Sequence, residues 1–439
     1  MAVSFSPCSA WRSASQTKTP SWSSTGAAGL RLKSSVRLFT CDGLSTVSNW
    51  WSPCLPALLI VSLAGATFGG AYADTLRVPS QYPTIQAAVD AASPGDSISV
   101  ADGLYQETPT IGTNKLTLVS EVAGGALIQE AAPVVSVSGD SVRIVGFRID
   151  STTFSSGNAA LTLTGNDFVV ESCLLSRGEP CVLVFSGTGT LRSCTVREGH
   201  EGVRVAGFGS DVILEDCDLV ANSTSTVGAG LLVIHGTSAT LIGCRFIGNY
   251  ASIAGGGVFA ERSPQGGASR VTADRCLFYD NSSRIGAAVA SVEAEVTLRS
   301  CSIVGNTVLP NSVGGGVLDV EDSPTTPVVV ERTIIAFNNG PALTCHSAVL
   351  PIVSCSNVFG NNDDGICGVD GGNNINLDPA FCSFESQDFH LQLGSPCAPG
   401  QSPPGCGLIG AFDPACVDPV LPTTWGAVKY RFRQKGVSR

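Results

Sequence analysis

The chain holds 439 residues with 25 Lys and Arg against 36 Asp and Glu, a formal net charge of −11. This acidic balance excludes nucleic acid as a partner, because that ligand needs a basic footprint. Glycine contributes 50 residues and methionine one, and a chain poor in helix formers and rich in turn formers points to an all-β fold.

Residues 1–73 differ in kind from the rest. Ser, Thr, Trp and basic residues dominate up to Trp51, an apolar run follows from Leu55 to Ala66, and Ala71-Tyr72-Ala73 closes it. That order is a secretory signal with a small-residue cleavage site at Ala71 and Ala73, so the mature chain is expected to begin at Asp74. The run is short and broken by Pro56, which argues against a membrane span and leaves none expected in the mature chain. The stretch before the apolar run is long for a signal, and the true start is expected near Arg31, Lys33 and Arg37. Removing five basic residues and one acid leaves 20 basic and 35 acidic residues, a net charge of −15. Such a surface disfavours a polyanionic glycan unless calcium bridges the two.

From 74 to 340 the chain is expected to be a solenoid with an N-terminal cap. Ile85, Ala88, Val89 and Ala92 stand at helical spacing and Ser93-Pro94-Gly95 ends the pattern, predicting a short helix over the N-terminal mouth. Strands are expected at Ser97 to Val100, Leu116 to Ser120 and Val134 to Ser138, and Ile144, Phe147 and Ile149 begin a repeat. The repeat aligns on Cys173, Cys194, Cys217, Cys244, Cys276 and Cys301, with Thr333 next. Apolar residues stand three before and two after each, as in Leu241 and Phe246. Five positions later come Gly178 and Gly199, then Asn222, Asn249, Asn281, Asn306 and Asn338. The period varies between 21 and 32 residues, the range of stacked supersecondary units.

Between successive cysteine strands a second strand enters through glycine, at Gly202-Val203, Gly230-Leu231, Gly257-Val258 and Gly316-Val317. These strands predict a parallel β-helix in which the cysteines stack as small buried apolar residues and the asparagines form an amide ladder.

Residues 341–416 are expected to hold the last coils and a cysteine-rich C-terminal cap. Cys345, Cys355, Cys367, Cys382, Cys397, Cys406 and Cys416 lie among Pro, Gly and Asn, at loop-like spacings that suggest disulfides. The expected pairs are Cys345 with Cys355, Cys367 with Cys382, and Cys397 with Cys406 or Cys416, one of the seven staying unpaired. Zinc is not expected, since neither C-x-x-C pairs nor histidines at zinc-ligand spacing occur. Residues 417–439 read as a linker and an aromatic, basic tail around Trp425 and Tyr430.

The L-x-x-C-x-F-x-x-N coil, with Pro83-Thr84-Ile85-Gln86-Ala87 and Gly95-Asp96-Ser97-Ile98, resembles secreted bacterial right-handed parallel β-helix proteins of the pectate-lyase-like superfamily, from about Asp74 to Cys416. The resemblance implies the fold and an extracellular or cell-surface location of Gram-negative type. It leaves activity open, because that superfamily holds lyases, hydrolases, epimerases and adhesins. The segments from Asp388 and from Gly407 resemble its closing strands, and the tail is similar to short Trp-Gly terminal sorting signatures.

A lyase of that kind needs calcium-binding carboxylates beside a basic residue. Glu215, Asp216 and Arg245 lie in successive coils at nearby columns and are the candidates, within a wider set of Glu171, Asp218, Asp274, Arg192, Arg197, Arg204 and Arg275. Asp363 and Asp364 are the candidate calcium ligands, in a polar turn. Gly199-His200-Glu201-Gly202 superficially matches the glycine-flanked histidine of polygalacturonases, but the paired aspartates follow it where that family has them before. The expectation is therefore a monomeric, exported, non-catalytic β-helix that binds an extracellular polysaccharide or the cell envelope, with no cofactor unless calcium. A polysaccharide lyase or glycosidase and a surface-attached adhesin are the alternatives.

Overall fold

The computed structural model describes residues 73–416 except 155–157, 264–266, 311–314 and 322–326. The expected signal, apart from Ala73, and the tail at 417–439 lie outside them. The described chain winds as a right-handed parallel β-solenoid of about eleven turns. Each coil gives one strand to each of three long parallel sheets. The first runs from Thr75–Val78 to Val369–Asp370, the second from Gly103–Tyr105 to Asn357–Phe359, and the third from Thr110–Ile111 to Leu343–His346.

The expected cysteine strand is in fact two strands and a corner. Ser238–Ile242 belongs to the first sheet and Arg245–Ile247 to the second. Gly243 between them has φ 62°, and Ser172, Ser193, Asp216, Arg275, Ser300 and Arg332 take the same left-handed conformation in their coils. That residue bends the chain sharply and lets the following cysteine point inward.

Alternation then fills the interior. Leu214, Leu241, Ala273 and Leu298 stack from the first sheet, while Leu219, Phe246, Phe278 and Ile303 stack from the second. All are buried. The Phe246 and Phe278 rings lie parallel, 4.9 Å apart. Phe147 occupies the cysteine column of an earlier coil, fully buried. The six ladder cysteines are buried free thiols, each bonding a nearby carbonyl, as Cys244 Sγ does Leu214 O at 3.2 Å. Cys217 and Cys244 are pushed up to about 12, chiefly by the thiol of the preceding coil. These two thiols are therefore un-ionised, and the column as a whole is buried packing material.

A second corner follows the second sheet and carries the asparagines. Nδ2 of Asn222, Asn249, Asn281 and Asn306 donates to Oδ1 of the next asparagine at 2.9–3.0 Å. The ladder continues past Asn338 to Asn361 at 2.7 Å. There Asp364 Oδ1 accepts from the Asn361 backbone and amide, both at 2.8 Å, and terminates it.

The predicted N-terminal helix is present at Ile85–Ala91, N-capped by Thr84, with Ile85, Ala88 and Val89 in the core. At the other end the disulfides differ from the expected pairing: Cys345–Cys367, Cys355–Cys406 and Cys382–Cys416, with Cys397 free and buried. Neighbours in sequence were paired in expectation, whereas the C-terminal segment folds back over the outer face of the second sheet. Phe381, Phe389, Leu391 and Ile409 there cover Leu277, Val304, Ile334 and Ala336. Of the two expected closing strands only Asp388–Leu391 is one, antiparallel to Phe381–Ser383. The segment after Gly407 forms no strand, only an isolated bridge of Pro414 with Leu391, and docks through Gly410 N to Arg332 O and Ala411 N to Ser302 Oγ.

The outer face of the third sheet is covered in mid-solenoid by Ala254 with Val227 and Ile285, which bury Leu232, Phe259 and Ala290. Among the described residues no such apolar cluster forms on the outer face of the first sheet.

Candidate functional site

The residues singled out for lyase chemistry are not brought together. Glu215 Oε2 accepts from Arg192 Nε at 2.7 Å on the first sheet. Arg245 makes a two-pronged pair with Asp218 at 2.5 Å on the second. Asp216 is the left-handed corner between the two sheets. One residue of sequence there turns the backbone onto a different face, so nearby columns do not mean neighbouring side chains. The other candidates are paired too: Arg143 with Glu171, Arg275 with Asp274, Arg204 with Glu201 and Arg197 with Glu198.

The calcium candidates are likewise occupied by the chain itself. Asp364 Oδ2 accepts from Gly360 N at 2.9 Å and Asn376 Nδ2 at 3.1 Å, in addition to its bonds to Asn361. Burial raises this carboxyl, but these N–H donors outweigh it and hold it below its ordinary value. Asp363 Oδ1 accepts from Gly365 N at 2.9 Å in a local turn. Among the described residues no group of three or more His, Cys, Asp or Glu is arranged to hold a metal.

Two further clusters surround nearly buried carboxylates. Glu201 is 5% exposed and gripped by Arg204 at 2.6 and 2.7 Å, while His200 Nδ1 stands 3.3 Å from Glu179. Burial lifts the Glu201 carboxyl despite its arginine. Asp319, 1% exposed, is raised by burial while Thr344 donates to it. His390 bonds Asp388 at 2.8 Å, and His235 sits at a left-handed turn. Each of these reads as satisfied structure.

What sequence reasoning missed lies on the outer face of the first sheet. The register places Val169, Thr190, Ile213, Thr240, Thr272 and Thr297 in one column. At the N-terminal end of that column opens a depression of about 360 Å³ lined by Asp167, Val169, Thr188, Thr190, Asp211 and Ile213. Gly189 beside it has its Cα against the Phe168 ring, where a Cβ would come within 2.6 Å of the ring carbons. The missing side chain lets Phe168 fill the coil interior and keeps the floor low.

Phe185, the last residue of the third-sheet strand Val182–Phe185, is 50% exposed, and Phe208, in the next coil's turn into the first sheet, is 62% exposed, each three residues before a lining residue. The Phe185 ring packs at Gly207, next to Phe208. Thr188 is fixed by donating to Asn166 Oδ1 and accepting from Asp167 N, both at 3.4 Å. Ile213 is 40% exposed. The arrangement offers an apolar floor with both carboxylates along one edge, on either side of Thr188 in register, and two exposed rings three residues upstream in sequence.

Residues 128–265 match the family model described as the right handed beta helix region. A search of curated proteins finds no match. Among solved structures, pectate lyase Pel9A is 11% identical with a TM-score of 0.44, over 75% of this chain and 91% of that one. A pectin methylesterase from Aspergillus niger is 15% identical with a TM-score of 0.34, over 63% and 86%. The alginate lyase AlyGC is 10% identical with a TM-score of 0.41, over 69% and 51%. These likenesses concern the winding of the chain and not its chemistry.

Proposed function

With the chain taken as a right-handed parallel β-helix, we propose that it is an exported, non-catalytic protein that binds polysaccharide on the outer face of its first sheet. The observation that carries this reading is the depression at Asp167, Thr190, Asp211 and Ile213, with the exposed Phe185 and Phe208 three residues upstream of its lining residues Thr188 and Asp211. Sugar rings present C–H faces to apolar and aromatic surfaces and O–H edges to carboxylates, and recognition sites pair such features. The arginines considered as bases are engaged by carboxylates, which favours binding over proton abstraction.

Three disulfides support an oxidising compartment and therefore processing at Ala71 and Ala73. The helix Ile85–Ala91 serves in this reading as the cap of the first coil, protecting it from edge pairing. The tail around Trp425 would then retain the protein at the surface, as in an adhesin.

The test is retention of purified 74–439 on a panel of immobilised polysaccharides, with chain cleavage followed in the same incubations, with and without calcium. Wild type is expected to be retained without cleavage. The doubly substituted Phe185→Ala, Phe208→Ala variant, altered only at exposed rings, is expected to bind about tenfold more weakly. Unsaturated products or new reducing ends would overturn the non-catalytic reading, and unchanged retention of the variant would overturn the assigned face.

A further inference from the structure

We infer that the polysaccharide this face takes is uncharged, and that Asp167 and Asp211 enforce the choice. The inference rests on the binding reading above and goes beyond it in naming the ligand class. Along the outer face of the first sheet, Arg143, Arg192, Arg270 and Arg299 are each paired with a glutamate, Glu171, Glu215, Glu295 and Glu331. Arg77 on the same sheet stands 3.9 Å from Glu121, so among the described residues of that face no guanidinium is without a carboxylate.

The two aspartates at the depression stand differently. Neither has an ion-pair partner among the described residues, and both are exposed. Asp167 follows the Asn114–Asp140–Asn166 ladder of polar side chains on the turn, in which Asp140 N bonds Asn114 Oδ1 at 2.9 Å and Asn166 N bonds Asp140 Oδ1 at 2.8 Å. The surroundings supply a third carboxylate, Asp140, beside the exposed Lys115, whose N bonds Asp140 O at 2.8 Å, while the guanidiniums bordering the column, Arg143 beside Val169 and Arg192 beyond Thr190, are held by Glu171 and Glu215. An anionic sugar placed over Val169 and Ile213 would meet the Asp167 and Asp211 carboxylates along one edge and the Glu171–Arg192–Glu215 row of paired charges along the other, in a molecule already strongly acidic, and like charges set close together are a means of rejecting a ligand. A neutral sugar meets no such repulsion: its hydroxyls donate to the carboxylates while its C–H face lies on Val169 and Ile213. A carboxylate accepts two such bonds and holds them more firmly than a neutral acceptor does.

The experiment compares retention of wild type, the Asp167→Asn, Asp211→Asn double variant and the Phe185→Ala, Phe208→Ala double variant. The probes are a neutral glucan, polygalacturonate and the amino polymer chitosan, at about 20 and about 300 mM NaCl, between which surface charge effects are largely screened. Wild type is expected to bind the glucan at both salts and polygalacturonate at least about tenfold more weakly at low salt. The aspartate variant is expected to narrow that ratio by about tenfold, through weaker glucan and stronger polygalacturonate binding. Polygalacturonate bound as well as glucan, or chitosan bound alone and released at high salt, would overturn the inference while leaving a binding face in place. No retention on any polymer, or full retention by the phenylalanine variant, would instead overturn the binding face itself, and the inference with it.

Discussion

Asn281 shows how one side chain stabilises several coils at once. Its Nδ2 donates to Phe246 O at 2.8 Å and Asn306 Oδ1 at 3.0 Å, and its Oδ1 accepts from Asn249 N at 3.1 Å and Asn249 Nδ2 at 2.9 Å. All of this is sealed from solvent. Asn281→Ala would leave donors and acceptors of two neighbouring coils without partners, each costing about 1–3 kcal/mol less relaxation. Urea unfolding should show a loss of about 3 kcal/mol; a loss under about 1 kcal/mol would mean that the ladder contributes little.

This column was legible in the sequence because the asparagines stand a constant five residues after the cysteines. Its last member, Asn361, was missed because Ser356 replaces the cysteine of that coil. The aspartates of the depression do not recur at their column: Thr188 stands between Asp167 and Asp211, and Ser238 follows. They meet only because adjacent coils juxtapose their turns, and period-based reading is blind to that.

At the level of elements, the C-terminal segment acts as a clamp on the second sheet. Cys355 sits at the corner of a late coil and Cys406 in the returning segment, 51 residues apart. Closing a loop of that length restricts the unfolded chain by about 4 kcal/mol. The Cys355→Ser, Cys406→Ser double variant should therefore unfold at lower urea concentration by roughly that free energy, and Ile334 and Val304 should become accessible to an apolar dye. An unchanged midpoint would show that the apolar contacts of Phe381, Phe389 and Ile409 suffice by themselves. The presence of disulfides was readable from cysteines among turn formers, whereas their partners were not: pairing depends on where the segment returns, and that is set by apolar surface on strands more than forty residues earlier. The corner before each cysteine was hidden for a related reason. Of the residues that take the left-handed bend there, Gly146 and Gly243 advertise it; Arg275 and Arg332 do not.

For the molecule as a whole, each coil touches chiefly its neighbours, so stability is distributed along the axis rather than pooled in one centre. Coils from Cys217 to Cys301 have inner stacks, the asparagine ladder and, outside the third sheet, the Leu232–Phe259–Ala290 cluster. The coil around Thr110–Ile111 has only the first of these. Amide hydrogen exchange should accordingly be at least about tenfold slower in Leu231–Val304 than in Thr110–Val137. Uniform protection along the chain would mean that the solenoid opens as one unit. The fold class and the stacking columns were open to sequence reading because a solenoid repeats its physics in every turn, whereas its ends and its outer faces do not repeat.

The five residues from the cysteine corner to the asparagine corner never change, although the coil as a whole ranges from 21 to 32 residues. All of the variation falls in the connections on either side of the third sheet, such as those leading into Val258–Glu261 and from it to Arg270–Asp274. The chain thus behaves like a rack with a fixed pitch and adjustable shelves. New peptide can be grafted into those connections beside the first sheet without disturbing the alignment of any coil, and the same freedom allows such a surface to change its ligand while its backbone stays as it is.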